Sequence, residues 1–148
     1  ERSRLLWVQL FRIESRHLLA RTALAAACEP GASRGRVAAL LESAEKDARR
    51  IERERVHWGD PLSVLVRASV AATRLEREEA ARLVRLAEEG FETAGMKLHA
   101  AVARRRRGEL QGGEEGRGCV AGADAWMAAQ NIRSPARMCA MLAPGRWT

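Results

Sequence analysis

Apolar residues recur at helical spacing along most of the chain, and the first stretch runs from Arg2 to about Ala27. Its members recur every three or four positions and form one stripe, with three further apolar residues beside it. The stripe contains Leu6, Leu10, Ile13, His17, Ala20 and Leu24, and the flanking residues are Leu5, Phe11 and Leu18. This spacing predicts a first helix, which Glu29–Pro30–Gly31 ends.

A second amphipathic helix is predicted from about Ser33 to Val56, followed by a break at Gly59–Asp60–Pro61. Asp60 suits an N-cap, and Pro61 suits the first helical position. The next helix, Leu62 to Thr73, is apolar almost all round, a pattern typical of a helix packed between neighbours.

The remaining pattern predicts four more helices, separated by breaks at Gly95, at the loop Gln111–Gly116 and at Asn131. We expect Gly95 to take a left-handed conformation, and Ser134 and Pro135 to begin the last helix. These helices are Glu76–Ala94, Met96–Gly108, Arg117–Gln130 and Pro135–Leu142.

The boundary at Thr73–Glu76 contains no Gly, Pro or Asn, so residues 62–94 could form one helix. Such a helix would be about three times the usual length. An internal repeat favours a turn here instead.

Two alignments reveal that repeat. Leu41–Ala48 matches Val84–Phe91 at an offset of 43 residues, and Ala87–Met96 matches Ala123–Ile132 at an offset of 36. Two helices per unit of about this length are typical of TPR-type arrays. We therefore predict an all-α fold of about seven helices, in which antiparallel hairpins stack as a short TPR-like superhelix.

Composition agrees with a single helical domain over residues 1–148. Apolar residues make up 47% of the chain, alanine dominates them, and aromatic residues make up only 4%. Alanine favours helices, whereas strands favour β-branched and aromatic residues. No apolar run is long enough to span a membrane and no secretory signal pattern is present, so we expect a cytoplasmic location.

The net charge of +7 is spread along the chain rather than gathered. Residues 1–60 carry an excess of three positive charges, residues 61–108 an excess of four, and residues 109–148 none. Mixed charges of this kind are typical of an ion-paired helical surface, whereas nucleic-acid binders more often collect basic residues on one face.

Arg104, Arg105, Arg106 and Arg107 form the one dense charge run, and with Trp147 they are the candidate interaction surface. The run is either a short basic patch or the solvated end of a helix, and we favour the second interpretation. We expect Trp147 to be exposed beyond the last helix, and Trp58 and Trp126 to pack at repeat junctions.

No catalytic, cofactor or metal site is predicted. The histidines and cysteines lack metal-ligand spacing, and no kinase or phosphate-binding motif is present. We expect His17 and His99 to have packing roles, and Cys28, Cys119 and Cys139 to act as small buried apolar residues.

The segment from Ala123 to Gly145 resembles the C-terminal end of large bacterial serine/threonine kinases, notably myxobacterial ones. Further segments resemble the same region, including Leu18–Ala27, Glu45–Glu54 and Glu89–Phe91. The resemblance implies a TPR-like repeat region at the C-terminal end of a larger signalling protein. The turn near Thr73 lacks an expected Gly–Asp, and His99 stands where an aromatic residue is more usual.

Our first hypothesis for function is a non-enzymatic protein-interaction or scaffolding module. Its concave surface would bind a peptide, a partner domain or the rest of its own repeat array. The alternative is nucleic-acid binding through a basic helical face, formed if Arg104–Arg107 join Arg49, Arg50, Arg53 and Arg55 in space. An enzyme hidden within the helical fold ranks third.

Overall fold

The computed structural model describes the backbone of residues 2–148 and the side chains of residues 7–148, so the predicted contributions of Leu5 and Leu6 lie outside the described side chains. Within this range the chain forms seven α-helices and no strand, which confirms the all-α prediction. The helices are α1 (Arg2–Ala27), α2 (Arg34–Glu52), α3 (Asp60–Thr73), α4 (Arg77–Thr93), α5 (Lys97–Gln111), α6 (Gly113–Ala129) and α7 (Pro135–Leu142).

The helices pack in consecutive pairs. The pairs are α1 with α2, α3 with α4, and α5 with α6, and each pair joins the next through the α2–α3 and α4–α5 contacts. This is the arrangement of a helical-repeat protein, in which neighbouring hairpins bury each other's apolar faces. Helix α7 then packs against α5, α6 and α1, so the C-terminal end of the chain returns to its first helix.

The repeat alignment at an offset of 36 holds in three dimensions. Ala87 and Ala123 are both completely buried, and so are Phe91 and Met127. A small residue therefore lets neighbouring helices approach, and one turn later a large residue fills the space between them.

Helices α4 and α6 end in the same way, with a residue in the left-handed conformation and two hydrogen bonds back to the last turn. After α4, Gly95 has φ +71° while its N–H donates to the Glu92 carbonyl and the Met96 N–H donates to the Phe91 carbonyl. After α6, Asn131 has φ +62°, its N–H donates to the Ala128 carbonyl, and the Ile132 N–H donates to the Met127 carbonyl. These pairs satisfy carbonyl groups that a helix end otherwise leaves without partners. The predicted stops at Gly95 and Asn131 are confirmed.

The turn between Thr73 and Glu76 is also confirmed, although its sequence carries no usual signal. Leu75 occupies the left-handed position with φ +65°, and the Glu76 N–H donates to the Ala71 carbonyl at 2.9 Å. Leucine rarely adopts this conformation because its Cβ crowds the backbone. The hydrogen bonds of the helix end and the packing of α3 and α4 impose it here.

The predicted end of the second helix at Val56 is wrong, because α2 ends at Glu52. The N–H groups of Glu54 and Arg55 donate to carbonyls three residues earlier, and Arg55 has φ +51°. Asp60 is the first residue of α3 rather than its side-chain cap, and Ser134 precedes α7 without a side-chain capping bond.

The predicted loop at Gln111–Gly116 is also wrong. Helix α5 continues to Gln111, α6 begins at Gly113, and only Gly112 separates them. Gly108 and Gly116 make this tight hairpin possible, since a Cβ at Gly108 would lie 2.6 Å from the Gly116 carbonyl oxygen. Gly108, predicted as the last residue of a helix, and Gly116, predicted as part of the loop, therefore allow two helix backbones to approach closely.

Helix α3 lies at the centre of the molecule, as its all-round apolar sequence predicts. Val66 and Val70 pack in a cluster with residues of α1 and α2, while Leu62, Leu65 and Ala68 belong to the larger core cluster. Trp58 and Trp126 are half-buried against that larger cluster.

Leu75 and Gly95, which occupy equivalent left-handed positions, give a paired prediction. Leu75→Gly should raise the free energy of unfolding by about 0.5–1 kcal/mol, because glycine relieves the positive φ at an exposed residue. Gly95→Ala should lower it by a similar amount, since nothing surrounds the new Cβ and only the backbone is strained. Urea unfolding of both variants measures the two changes, and shifts in the same direction would contradict the shared geometry.

Phe91→Ala should lower the free energy of unfolding by about 3–5 kcal/mol, the range for truncating a buried aromatic residue. Phe91 is completely buried and its ring centroid lies 5.1 Å from that of His99. Leu86→Ala, on the same helix but 45% exposed, is the matched control and should change stability by less than about 0.5 kcal/mol. A urea midpoint for Phe91→Ala equal to that of the control would refute this packing.

Candidate interaction surface

The arginine run lies within the second half of α5 and faces acidic residues of its neighbours. The guanidinium of Arg104 donates to Glu88 at 3.0 Å and to Glu92 at 3.2 Å, and Arg107 donates to Glu88 at 2.7 Å. Glu88, on α4, is only 9% exposed and receives both arginines. These two arginines therefore join α5 to α4.

The other two arginines of the run are more deeply placed. Arg105 pairs with Asp124 of α6 at 2.7 Å and with Glu109 of its own helix. Arg106 donates to Glu109 at 2.7 Å and is 9% exposed. The run is thus neither an open basic patch nor a solvated helix end, because its charges are matched by carboxylates on α4, α5 and α6.

Glu88 shows the electrostatic consequence of this pairing. Burial raises the pKa of its carboxyl group, but the hydrogen bonds and charges of Arg107 and Arg104 outweigh burial, so the pKa lies below its usual value. The carboxylate therefore remains ionised at neutral pH, and the ion pairs link α4 to α5.

The expectation that Trp147 is exposed is wrong. Trp147 is 2% exposed, and its indole N–H donates to the Ala143 carbonyl at 3.0 Å. The guanidinium carbon of Arg106 lies 5.6 Å from the ring centroid, within the range of a cation–π contact. The chain after α7 folds back against α3, where Gly145 comes close to the Ser69 carbonyl, so Trp147 is part of the core.

The basic residues at the C-terminal end of α2 contact different parts of the molecule. Arg50 and Arg53 line a cleft between α2 and α1, whereas Arg104–Arg107 contact α4, α6 and the C-terminal segment. The two sets share no ion-pair partner among the described residues. These contacts therefore give no support to a single basic face that joins Arg104–Arg107 to Arg50 and Arg53.

Five of the eight large apolar residues that are exposed among the described side chains lie on α1. Helical geometry places its residues within about 120° of the helix circumference, on the side away from Ile13, His17 and Leu24. We call this set the α1 apolar face, and it consists of Trp7 (60% exposed), Val8 (51%), Phe11 (64%), Leu18 (53%) and Leu19 (51%). The Trp7 and Phe11 ring centroids lie 6.1 Å apart.

The sequence places Phe11 and Leu18 beside the core stripe of α1, but no exposed apolar face was predicted from them. A helix that is apolar on two opposite sides is usually covered on both. In the described structure α2 and α3 cover one side of α1, and the α1 apolar face is the other. The two-sided pattern was therefore the available signal.

A groove runs along the seam of α1 and α2 next to this face. One end is a cavity of about 260 Å³ lined by Arg12, Arg16, Arg50 and Arg53. The other end is a cavity of about 440 Å³ lined by residues that include Leu19, Ala23, Ala26 and Leu40. Arg16 and Arg50 line both cavities, so the two are adjacent, and together we call them the α1–α2 groove.

Two carboxylates hold three of the four arginines of the α1–α2 groove. Arg12 donates to both oxygens of Glu54, at 2.8 and 2.9 Å. Arg16 and Arg50 both donate to one oxygen of the buried Asp47, at 3.4 and 3.3 Å. Because two guanidinium groups share one carboxylate, this end of the groove keeps an excess of positive charge.

The two predicted packing histidines lie together, with His17 buried and His99 half-buried. The ring centroids of His17 and His99 are 6.3 Å apart, and His17 Nε2 is buried with no hydrogen-bond partner. Burial, together with the charges of Arg21 and His99, lowers the pKa of His17 to about 3. Burial and Arg21 also lower the pKa of His99. Both rings are therefore neutral at pH 7, in agreement with a packing role.

The cysteines do not form a common site. Cys139 is buried as expected, and burial raises the pKa of its thiol to about 11, so the reactive thiolate is scarce at neutral pH. Cys28 and Cys119 are only half-buried, which corrects the expectation for both. Across the described residues, no group of three or more His, Cys, Asp or Glu side chains has a metal-binding arrangement.

Comparison of the chain with models of known protein families, with curated proteins and with solved structures finds no significant match. Among the helices of the described range, none combines the length and the apolar character needed to cross a membrane.

The buried histidine gives a prediction for pH dependence. His17 stays neutral in the folded state but is protonated in the unfolded state below about pH 6.5, so stability should fall as the pH drops from 6.5 toward 3. His17 alone should contribute a loss of up to about 2 kcal/mol between pH 6.5 and 5. Carboxylates with lowered pKa values, such as Glu54 and Glu88, act only below about pH 4.5.

Urea unfolding at pH 7, 6 and 5 measures this slope in the wild type and in two variants. His17→Leu should flatten the slope, whereas His57→Gln, at an exposed position, should leave it unchanged. Equal slopes in the wild type and His17→Leu would show that His17 does not carry the effect.

Proposed function

We propose that this chain is a non-enzymatic protein-interaction module whose partner packs against the α1 apolar face. The observation that carries the proposal is the exposure of Trp7 and Phe11, at 60% and 64%, beside three further exposed aliphatic residues. Aromatic residues dominate the energetics of protein interfaces because they bury a large rigid surface with little loss of conformational entropy.

The size of the α1 apolar face supports this assignment. A Trp or Phe side chain buries about 150–250 Å² when covered, so the exposed parts of the two rings amount to roughly 200–300 Å². The exposed aliphatic residues of the same face add to that area. The largest apolar patch on a typical monomer measures roughly 300–600 Å² and is often functional.

The partner in this proposal is a peptide, a protein domain or a neighbouring hairpin of the same repeat array. Each of these can present an apolar helix face of the kind that α2 presents to α3. The sequence resemblance to kinase C-terminal regions extends the proposal to a bacterial, cytoplasmic signalling protein, in which the chain would serve as scaffold and any kinase domain would lie elsewhere.

Nucleic-acid binding is the weaker candidate. Each arginine of Arg104–Arg107 already pairs with a carboxylate, so binding phosphate would require those pairs to open. No aromatic side chain is interleaved in the run to stack on bases. Any binding to DNA or RNA should therefore be weak and should fade as salt rises to about 0.15 M.

Selection from a library of helix-forming peptides at about 0.15 M salt tests the proposal. Peptides that bind the wild type should bind the double variant Trp7→Ser/Phe11→Ser more than about tenfold more weakly, because hot-spot aromatic residues carry most of the energy of such contacts. The measurement is the dissociation constant of each selected peptide.

The matched control is Leu75→Ser/Leu86→Ser, which removes two exposed apolar side chains outside the α1 apolar face. It should bind the selected peptides as the wild type does, and circular dichroism should show that both variants remain helical. Peptides that bind all three proteins equally, or tight binding of DNA or RNA at the same salt in place of any peptide, would count against the proposal.

A further inference from the structure

The α1–α2 groove is charged at one end and mixed at the other, where apolar residues of α1 and α2 lie beside Arg16, Asp47 and Arg50. Arg12, Arg16, Arg50 and Arg53 line the first end, and Leu19 and Leu40 line the second with small alanines between them. Leu19 is 51% exposed and also belongs to the α1 apolar face, so the groove and the face form one surface.

The charged end is not neutralised by its own carboxylates. Four guanidinium groups face Asp47 and Glu54, and Asp47 offers a single oxygen to both Arg16 and Arg50. Arg53 is exposed and makes no ion pair within the described residues. Arginine presents a planar set of donors that matches a carboxylate, so a carboxylate of a partner would fit this end.

The dimensions of the groove suit a helix. The lining residues on α1 run from Arg12 to Ala26, which corresponds to about 21 Å or four helical turns. Ala23 and Ala26 are small, and small side chains at a helix seam let a third helix approach closely. On the opposite side of the same pair, α3 packs against α1 and α2 through Val66 and Val70.

We propose that the α1–α2 groove binds an acidic amphipathic helix of a partner protein, with glutamate or aspartate near Arg50 and Arg53 and apolar residues over Leu19 and Leu40. This inference rests on the proposed function and adds the chemistry of the partner. Nucleic acid fits the groove less well, because Asp47 and Glu54 lie within its arginine cluster and no aromatic ring lines it.

The test uses helix-forming peptides with leucine at every third or fourth position and a random choice of Glu, Lys or Gln elsewhere. Peptides selected by the wild type at about 0.15 M salt should be rich in Glu toward one end. Their affinity should fall at least about fivefold in Arg50→Gln/Arg53→Gln, since two partly exposed ion pairs are lost. That variant leaves Arg16 paired with Asp47, so the fold should be retained.

Arg117→Gln/Arg133→Gln removes the same charge from exposed positions outside the groove and should bind as the wild type does. Raising the salt to about 0.5 M should weaken peptide binding to the wild type and to this control more than to the groove variant.

The outcomes separate the two proposals. The inference is supported if Arg50→Gln/Arg53→Gln loses acidic-peptide binding while Arg117→Gln/Arg133→Gln keeps it. Selected peptides that are neutral or basic, or that depend on Trp7 and Phe11 but not on Arg50 and Arg53, overturn the inference and leave the proposed function standing. A library that yields no peptide dependent on either surface overturns both. Single-stranded DNA or RNA that displaces selected peptides through Arg50 and Arg53 at about 0.15 M salt also overturns the inference.

Discussion

Close approach between helices at alanine and glycine is the constraint on which this structure depends. Ala44, Ala87 and Ala123 occupy matching positions of the repeat and are completely buried. At Gly108 and Gly116 the approach is closer still, since a Cβ on either residue would lie within 2.6 Å of the other's carbonyl oxygen. Alanine accounts for 14 of the 31 buried apolar residues of the described side chains, so small side chains let the helices approach and Leu, Ile, Val, Phe, Met and Trp fill the remaining space.

The short distances between helices also determine where the charges lie. Long arginine side chains on α5 reach carboxylates on α4 and α6, and Arg106 additionally covers the buried ring of Trp147. The densest basic segment of the sequence therefore serves to join helices. Along α1 and α2, two arginines share Asp47 and the α1 apolar face is left uncovered by the described residues, so both positive charge and apolar surface are available to a partner.

Local sequence patterns were sufficient to predict the number and order of the helices, the 36-residue repeat and the stops at Gly95 and Asn131, because each depends mainly on nearby residues. They failed where distant residues decide the conformation. The glycines between Gly108 and Gly116 indicate a loop until the contact of these two residues across a hairpin is known, and Trp147 follows the last helix yet is buried against Arg106 of α5. The pairing of the arginine run is a similar case, since Glu88, Glu92 and Asp124 lie on neighbouring helices and only Glu109 lies on the same helix.

The central claim is that partners bind at α1 and α2 rather than at the arginine run of α5. Backbone amide NMR of the isotope-labelled chain, titrated with a selected peptide, tests this claim most directly. The account predicts chemical-shift changes concentrated in residues 7–26 and 40–54, with few changes at residues 104–107. Changes concentrated at residues 104–107 and along α6, with α1 and α2 unaffected, would contradict it.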